Sequence, residues 1–140
     1  MAQTYATEVA GLGTTPTTKS NGAVQGGRIR RFRATVTMAA QASGDTIVLA
    51  NVPAGYAFAY GVVNASATLG SATLAVGIDG TAGKYRTAAT FTAAAPTLFG
   101  NSTAVDDDPL SASEEVIATV GTAALPGSGT LIVDLYFSAP

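Results

Sequence analysis

Apolar and polar residues alternate with a period of two along most of the chain after residue 27. In 28–38, for example, one side of the segment is apolar and the other carries arginine and threonine. A period of two is typical of a strand with one buried face. The first side consists of Phe32, Ala34, Val36 and Met38, and the second of Arg31, Arg33, Thr35 and Thr37. Similar strands are predicted at 45–52, 56–64, 71–79, 84–93, 114–121 and 130–140.

Turn-forming residues separate these segments, notably Pro-Ala-Gly at 53–55, Asp-Gly at 79–80 within a turn predicted over 79–84, and Pro-Gly at 126–127. A long connection is expected over 95–113, with a short helical turn conceivable at 111–115, although β-branched residues follow it. The regular spacing predicts an all-β fold: a single β-sandwich or jelly-roll-like barrel of about seven to eight antiparallel strands with an extended N-terminal arm.

The pattern also predicts which side chains of each strand face the core. In the strand at 56–64 we expect the large side chains on one face and the small ones on the other. The large set is Tyr56, Phe58, Tyr60 and Val62, and the small set is Ala57, Ala59, Gly61 and Val63. Two strands have sets that we expect to face inward, which are Ala72, Leu74, Val76 and Ile78, and Leu131, Val133, Leu135 and Phe137. In 84–93 one side holds Tyr85, Ala89 and Phe91, and in 114–121 the alternating apolar residues are Val116, Ala118 and Val120.

Residues 1–27 lack this alternation and hold few aliphatic side chains, so they cannot bury enough apolar surface to fold alone. We therefore divide the chain into an N-terminal arm, 1–27, and a β-sandwich domain, 28–140. Two interpretations of the arm stay open. It is either a disordered tail or a segment that becomes ordered against a neighbouring molecule.

Composition argues against catalysis. The chain contains no His, Cys or Trp, so the commonest general base, the thiolate nucleophile and the zinc ligands His and Cys are missing. Phosphate-binding glycine motifs are also missing. We predict that the protein is not an enzyme, needs no cofactor and does not enter a membrane. The acidic run Asp106 to Asp108 lacks the spacing of a calcium loop, so we interpret it as a solvated loop and predict no metal site.

Charge is scarce, at 11% of residues against about 25% in ordinary domains, and the net charge is −2. A surface so poor in charge suggests coverage by a partner or by copies of the same chain, although Thr, Ser, Asn and Gln would also keep it in solution. Four of the seven basic residues lie close together, at Arg28, Arg30, Arg31 and Arg33. The acidic balance of the chain disfavours nucleic acid as their partner.

Two further interpretations of these arginines are favoured over nucleic-acid binding. They protect an edge strand by charge, or they form a patch that pairs with acidic groups of a partner. On this chain the candidate acidic partners are Asp106 to Asp108 and Glu114 and Glu115. A carbohydrate-binding module would need exposed aromatic platforms, for which the candidates are Tyr56, Tyr60, Tyr85 and Tyr136. Core packing is the favoured role for most of them.

Three segments together resemble the small β-rich structural proteins of tailed bacteriophages, of the head-decoration or cement type. They begin with GRIRRFRATVTM (27–38 within 27–66), LGSATLAVGIDG (69–80 within 69–100) and SASEEVIATVG (111–121 within 111–140). The resemblance covers roughly residues 25–140. It implies a virion protein made in the cytoplasm of the host bacterium.

The favoured role under this resemblance is a capsid decoration or cement protein that binds the outside of the head. Its partner would be the major capsid protein or another virion protein. Such proteins bind in symmetric clusters and use an N-terminal arm, which implies a homo-oligomer, with a trimer the favoured state. The alternative within the virion is a tail, collar or baseplate component. The alternative from another class is the carbohydrate-binding module.

Overall fold

The computed structural model describes residues 4, 10, 11, 13–19, 22, 25–105 and 108–140. Within them eight strands form the body of the molecule. The strands are β1 (Arg28–Thr37), β2 (Thr46–Val52), β3 (Ala57–Ala65), β4 (Thr73–Ile78), β5 (Thr81–Thr90), β6 (Thr97–Phe99), β7 (Glu114–Gly121) and β8 (Thr130–Ala139). The prediction of about seven to eight strands is confirmed.

The strands form two four-stranded antiparallel sheets. The first sheet has the order β1-β8-β3-β6 and the second the order β2-β7-β4-β5. Every connection except that from β4 to β5 crosses from one sheet to the other, which is the connectivity of the eight-stranded jelly roll. The two sheets pack as a sandwich and do not close into a barrel. The all-β sandwich or jelly-roll fold expected from the sequence is therefore confirmed.

The core lies between the sheets and follows the predicted alternation most closely in β7 and β8. The four inward side chains of β8, from Leu131 to Phe137, are completely buried, and so are Val116 and Ala118 of β7. Phe137 lies at the centre of an aromatic cluster, with ring centroids 5.7 Å from Phe32 and 5.4 Å from Phe58. Each large apolar side chain buried in this way contributes about 1.5–3 kcal/mol to folding. The buried side chains therefore hold β8 in place beside β1 in the first sheet.

The prediction that the large side chains from Tyr56 to Val62 share one face of the strand at 56–64 is wrong after Phe58. Phe58 pairs with Phe137 of β8, but Tyr60 pairs with the next residue, Tyr136, so that Ala59 is an extra residue in β3. A bulge of this kind reverses the alternation that follows it. Tyr60 consequently faces solvent, and the buried positions after the bulge are those of the small set. These buried positions are Gly61, Val63 and Ala65.

The pairing of β5 with β4 is also irregular, and Ala89, which we expected on one side with Tyr85 and Phe91, is exposed while those two residues are buried. Leu74 pairs with Ala89 and Val76 with Arg86, so three residues of β5 span two of β4. The Arg86 guanidinium donates hydrogen bonds to the carbonyl oxygens of Leu74, Ala89 and Thr90, and its burial lowers its pKa. Arg86 thus satisfies backbone acceptors that the irregular pairing leaves open.

Three connections also differ from expectation. The segment expected to be a long connection contains β6, which adds a fourth strand to the first sheet. The turn predicted over 79–84 is shorter, because Ile78 already pairs with Thr81 and only Asp79 and Gly80 form the turn. Gly80 has a φ of 81°, which glycine adopts readily. Residues 111–113 are bends that lead directly into β7, without a helical turn.

The predicted arm falls largely on residues outside those that the structure describes. Of the described part, the Thr18 amide and the Thr14 hydroxyl donate hydrogen bonds to the Gly11 carbonyl oxygen, at 2.8 and 2.7 Å. Residues 13–19 are exposed. The division at residue 27 and the role of the arm stay predictions. Among the described residues, no helix has the length and apolar character needed to cross a bilayer.

Candidate interaction face

The four arginines lie on β1, which is an edge strand of the first sheet. Arg31 and Arg33 project from the outer side of that sheet, as the alternation predicts. Arg28 and Arg30 lie on the same side of β1 as Phe32, but all four arginines are exposed. Only Phe32 reaches inward, where it is half-buried against the core. The sandwich therefore places the patch at one edge, with its positive charge in solvent.

Arg33 has a partner within the chain that the sequence interpretation missed. It stands directly opposite Asp134 of β8, and its Nε and Nη2 atoms donate to the two carboxylate oxygens, each at 2.8 Å. The side chain of Asp134 is only 7% exposed, whereas that of Arg33 is 47% exposed. This hydrogen bond, together with the carboxylate charge, raises the pKa of Arg33. A single acid inside the apolar run of β8 was the available signal, because a buried carboxylate needs a partner.

The other three arginines form no ion pair with any residue that the structure describes. Of the acids proposed as their partners, Glu114 instead accepts hydrogen bonds from the Lys84 ammonium and, at 2.6 Å, from the Tyr85 hydroxyl. Asp106 and Asp107 lie outside the described residues. Arg28, Arg30 and Arg31 consequently remain available to an acidic surface of another molecule, and their partner-binding role stays a prediction.

Two tyrosines stack on the outer face of the first sheet, beside Arg31. Tyr136 of β8 pairs with Arg31 on one side and with Tyr60 of β3 on the other. The two rings are nearly parallel, with an interplanar angle of 15° and centroids 4.6 Å apart. The expectation of core packing holds for Tyr85, which is buried, and is wrong for Tyr60. Each ring of the stacked pair covers one face of the other, which reduces the flat surface open to a sugar ring.

An open apolar groove of about 340 Å³ continues this face to the opposite edge of the first sheet. It lies along β6 and the segment that follows it, and it is lined by Ala59, Tyr60, Leu98, Phe99, Gly100 and Val105. Leu98 is the most exposed large apolar side chain of the described residues, at 70%. Val62 and Ile132, both half-buried, lie on the outer side between the edges. We call this outer side of the first sheet, from β1 to β6, the interaction face.

The interaction face has the composition of a protein-binding surface. Tyrosine and arginine are the residue types that most often carry binding energy at protein interfaces. The Arg33–Asp134 pair neutralises its own charge, so of the four arginines only Arg31 adds unpaired positive charge to the outer side. No cluster of three or more potential metal ligands occurs within 25–105 and 108–140 or the other described positions. The arrangement is suited to contact with a macromolecule that carries acidic and apolar groups.

Comparisons with known proteins find similarity in structure. No family model matches the chain, and no curated protein matches it in sequence. A chain of the Cyanophage Pam1 capsid asymmetric unit superposes with a TM-score of 0.66 at 18% identity, covering 81% of this chain and 86% of that one. A chain of the capsid of Ralstonia phage GP4 gives a TM-score of 0.65 at 22% identity, covering 81% and 86%.

A third similar chain comes from the acidic stable capsid of Helicobacter pylori bacteriophage KHP30. Its TM-score is 0.60 at 12% identity, and the superposition covers 80% of this chain and 88% of that chain. In all three cases most of both chains is matched, so the shared part includes nearly the whole sandwich. The resemblance to small β-rich structural proteins of bacteriophages is thereby confirmed at the level of the fold: this chain has the β-sandwich fold of chains found in phage capsids.

Proposed function

We propose that the protein is a structural component of a phage virion, and specifically a decoration or cement protein on the outer surface of the head. The observation that carries this proposal is the fold shared with chains of three phage capsids, over about four fifths of this chain. The exposed Tyr–Arg face supports it, because a decoration protein needs a binding surface and no catalytic group. A virion location and contacts with other virion proteins follow from the same proposal.

The interaction face supplies the contact with the shell. The stacked Tyr60–Tyr136 pair lies on the two central strands of that face, where interface residues are best shielded from water, and Arg31 lies beside it on β1. An acidic and apolar area of the major capsid protein would complement them. Each copy contributes a modest interface, but many copies on one lattice, each bridging neighbouring capsomers, bind with high total strength. The arm at 1–27 lies across a neighbouring molecule in this mechanism and strengthens the attachment.

The test is reconstitution of heads that lack the protein. Purified protein is added to such heads, and bound copies are counted after the heads are separated from free protein. We expect saturable binding that Arg31→Ser and Tyr136→Ala weaken by at least about tenfold, equivalent to about 1.4 kcal/mol for each change. The matched control is Val48→Ser, which changes an exposed residue on the outer side of the second sheet. Deletion of 1–27 should reduce occupancy without unfolding the body.

Two outcomes would contradict the proposal. Failure of the wild-type protein to bind heads, with binding to tails or baseplates instead, would move it to the alternative virion location. Equal loss of binding in Val48→Ser and Arg31→Ser would remove the interaction face from the mechanism. If the number of copies bound to heads is unchanged after deletion of 1–27, only the role of the arm in attachment is contradicted.

A further inference from the structure

One row of side chains crosses the interaction face from β1 to the groove at β6. Arg31 of β1 pairs with Tyr136 of β8, and Tyr136 pairs with Tyr60 of β3. Tyr60 then lines the groove together with Leu98 of β6. The two tyrosine rings are stacked, so they stand side by side along the row. The sheet therefore presents three kinds of group in a fixed order: a cation, an aromatic pair and an apolar groove.

The two ends of this row offer different chemistry to a partner. At the β1 end, Arg31 is exposed and forms no ion pair within the described part of the chain. At the β6 end, the residues that line the groove are all uncharged, and Leu98 is 70% exposed. A guanidinium favours a carboxylate, whereas an exposed apolar side chain favours another apolar group that removes it from water. A ligand that satisfies both ends carries an acidic group and an apolar group.

The neighbouring rows keep this site narrow. On one side lie Arg33 and Asp134, whose charges neutralise each other, and on the other lies Ile29 opposite Ser138. Among the residues that the structure describes, Arg31 is therefore the one unpaired cation on the outer side of β1. A single cation needs a single carboxylate, so one extended chain matches this face better than a broad acidic surface would.

The strand spacing sets the distance between the two groups that such a chain must carry. Neighbouring strands lie about 4.8 Å apart, so the three intervals from β1 to β6 amount to about 14 Å. An extended chain rises about 3.3 Å per residue and turns alternate side chains to the same side. Side chains at positions i and i+4 therefore lie about 13 Å apart and point in one direction, which matches the span of the row.

We propose that the interaction face binds one extended peptide segment of another virion protein, with a carboxylate side chain at position i on Arg31 and a large apolar side chain at position i+4 in the groove. The residue at i+2 lies over the stacked tyrosines, where a small or flat side chain such as proline fits. That the segment comes from a virion protein rests on the proposed function, whereas the order and spacing of its side chains follow from this sheet alone.

The test is an NMR titration of the isotope-labelled full chain with the peptide Gly-Ser-Glu-Ser-Pro-Ser-Leu-Ser-Gly, which has the proposed spacing. Backbone amide signals should shift at Tyr136 and Gly100, which flank the row, and stay unchanged at Val48 of the second sheet. Replacing Leu of the peptide by Ser should weaken binding at least about tenfold, because an apolar side chain leaves the groove. Replacing Glu by Gln should weaken it about threefold, as expected for an exposed ion pair.

Matched variants of the protein connect each group of the peptide with its site. In Arg31→Ser the change of Glu to Gln should lose most of its threefold effect, and in Leu98→Ser the change of Leu to Ser should fall to about threefold. Arg30→Ser is the control for charge, because Arg30 is exposed on the same strand but lies on its other side. It should leave the effect of the Glu change intact. Circular dichroism confirms that each variant is folded.

The proposal is overturned if a large excess of the peptide shifts no signal while the protein still binds heads, and that result would leave the proposed function in place. It is also overturned if a peptide with Glu and Leu adjacent binds equally well, or if Arg30→Ser removes the effect of the Glu change as Arg31→Ser does. Spacing-dependent binding of the peptide by a protein that does not bind heads would contradict the proposed function and support the peptide site.

Discussion

Replacement of Gly61 by alanine would place a methyl group where the ring of Phe99 now lies. Gly61 and Phe99 are directly paired across β3 and β6. Three carbons of the Phe99 ring lie within 2.6 Å of the position that a Cβ atom of residue 61 would take. Carbon atoms in contact normally stand about 3.5–4.0 Å apart. The Phe99 ring must therefore move away by about 1 Å or more. Such a shift disturbs the packing of the ring against the core at the edge of the first sheet.

The expected cost is that of overpacking, about 1–3 kcal/mol of unfolding free energy. For a domain of this size, each kcal/mol lowers the midpoint of thermal unfolding by roughly 4 °C. Urea unfolding followed by far-ultraviolet circular dichroism measures the loss directly. Gly83→Ala is the matched control in β5, because the nearest atom to its new methyl group would be 3.4 Å away. We expect Gly83→Ala to be neutral or slightly stabilising.

A double-mutant cycle isolates the clash. With Phe99 changed to alanine, the space that the methyl group of residue 61 would fill is free. In that background Gly61→Ala should lose little unfolding free energy from steric clash, and it should gain up to about 1 kcal/mol because alanine restricts the unfolded chain more than glycine does. The reasoning is refuted if Gly61→Ala is as stable as the wild type, or if it has the same cost with and without the Phe99 ring.

Three other predictions follow from single contacts. Phe137→Ala should lower the unfolding free energy by about 3–5 kcal/mol, measured in urea, because the ring is completely buried among other aromatic rings. Arg33→Ser should destabilise the fold more than Arg31→Ser, since it leaves the buried Asp134 carboxylate without its two donors. The hydrogen bond to Asp134 raises the pKa of Arg33 above its ordinary value, so the stabilisation by the guanidinium is complete below the ordinary pKa and is lost only as the pH rises through the raised pKa. The stability difference between wild type and Arg33→Ser should accordingly be constant from neutral to moderately alkaline pH in thermal unfolding, and a steady decline over that range would contradict it. Glu114→Gln should cost stability in the same assay by weakening the Lys84 and Tyr85 contacts, and an unchanged midpoint would show that these contacts are not needed.

The positions of the four arginines on one strand were predicted from the sequence, but the different surroundings of Arg31 and Arg33 were not. The isolated positive charge and the period of two were enough to place Arg31 and Arg33 on the same side of a strand that could lie at a sheet edge. They could not distinguish the two residues, because the difference depends on which residue of β8 lies opposite each one. Arg33 faces a carboxylate and Arg31 faces a tyrosine, so one stabilises the domain and the other remains open to a partner.

The groove and the stacked tyrosines could not be predicted at all from local patterns. Both depend on the bulge at Ala59, since it turns Tyr60 outward onto Tyr136. A bulge is defined by the pairing of two strands that are far apart in the chain, so the alternation within β3 alone gives no sign of it. The strand β6 was also missed, because its three residues are too few to show a period of two.

The sequence by itself determined the class of fold, most strand positions and the buried faces of β1, β4, β7 and β8, because each follows from the distribution of apolar side chains along a short segment. It also determined that the chain lacks His and Cys. Only the tertiary structure decided the jelly-roll order of the strands, the partner of Arg33 and the stacking of Tyr60 on Tyr136. These features arise between residues up to about a hundred positions apart, such as the 101 that separate Arg33 from Asp134, and their energies depend on register and burial.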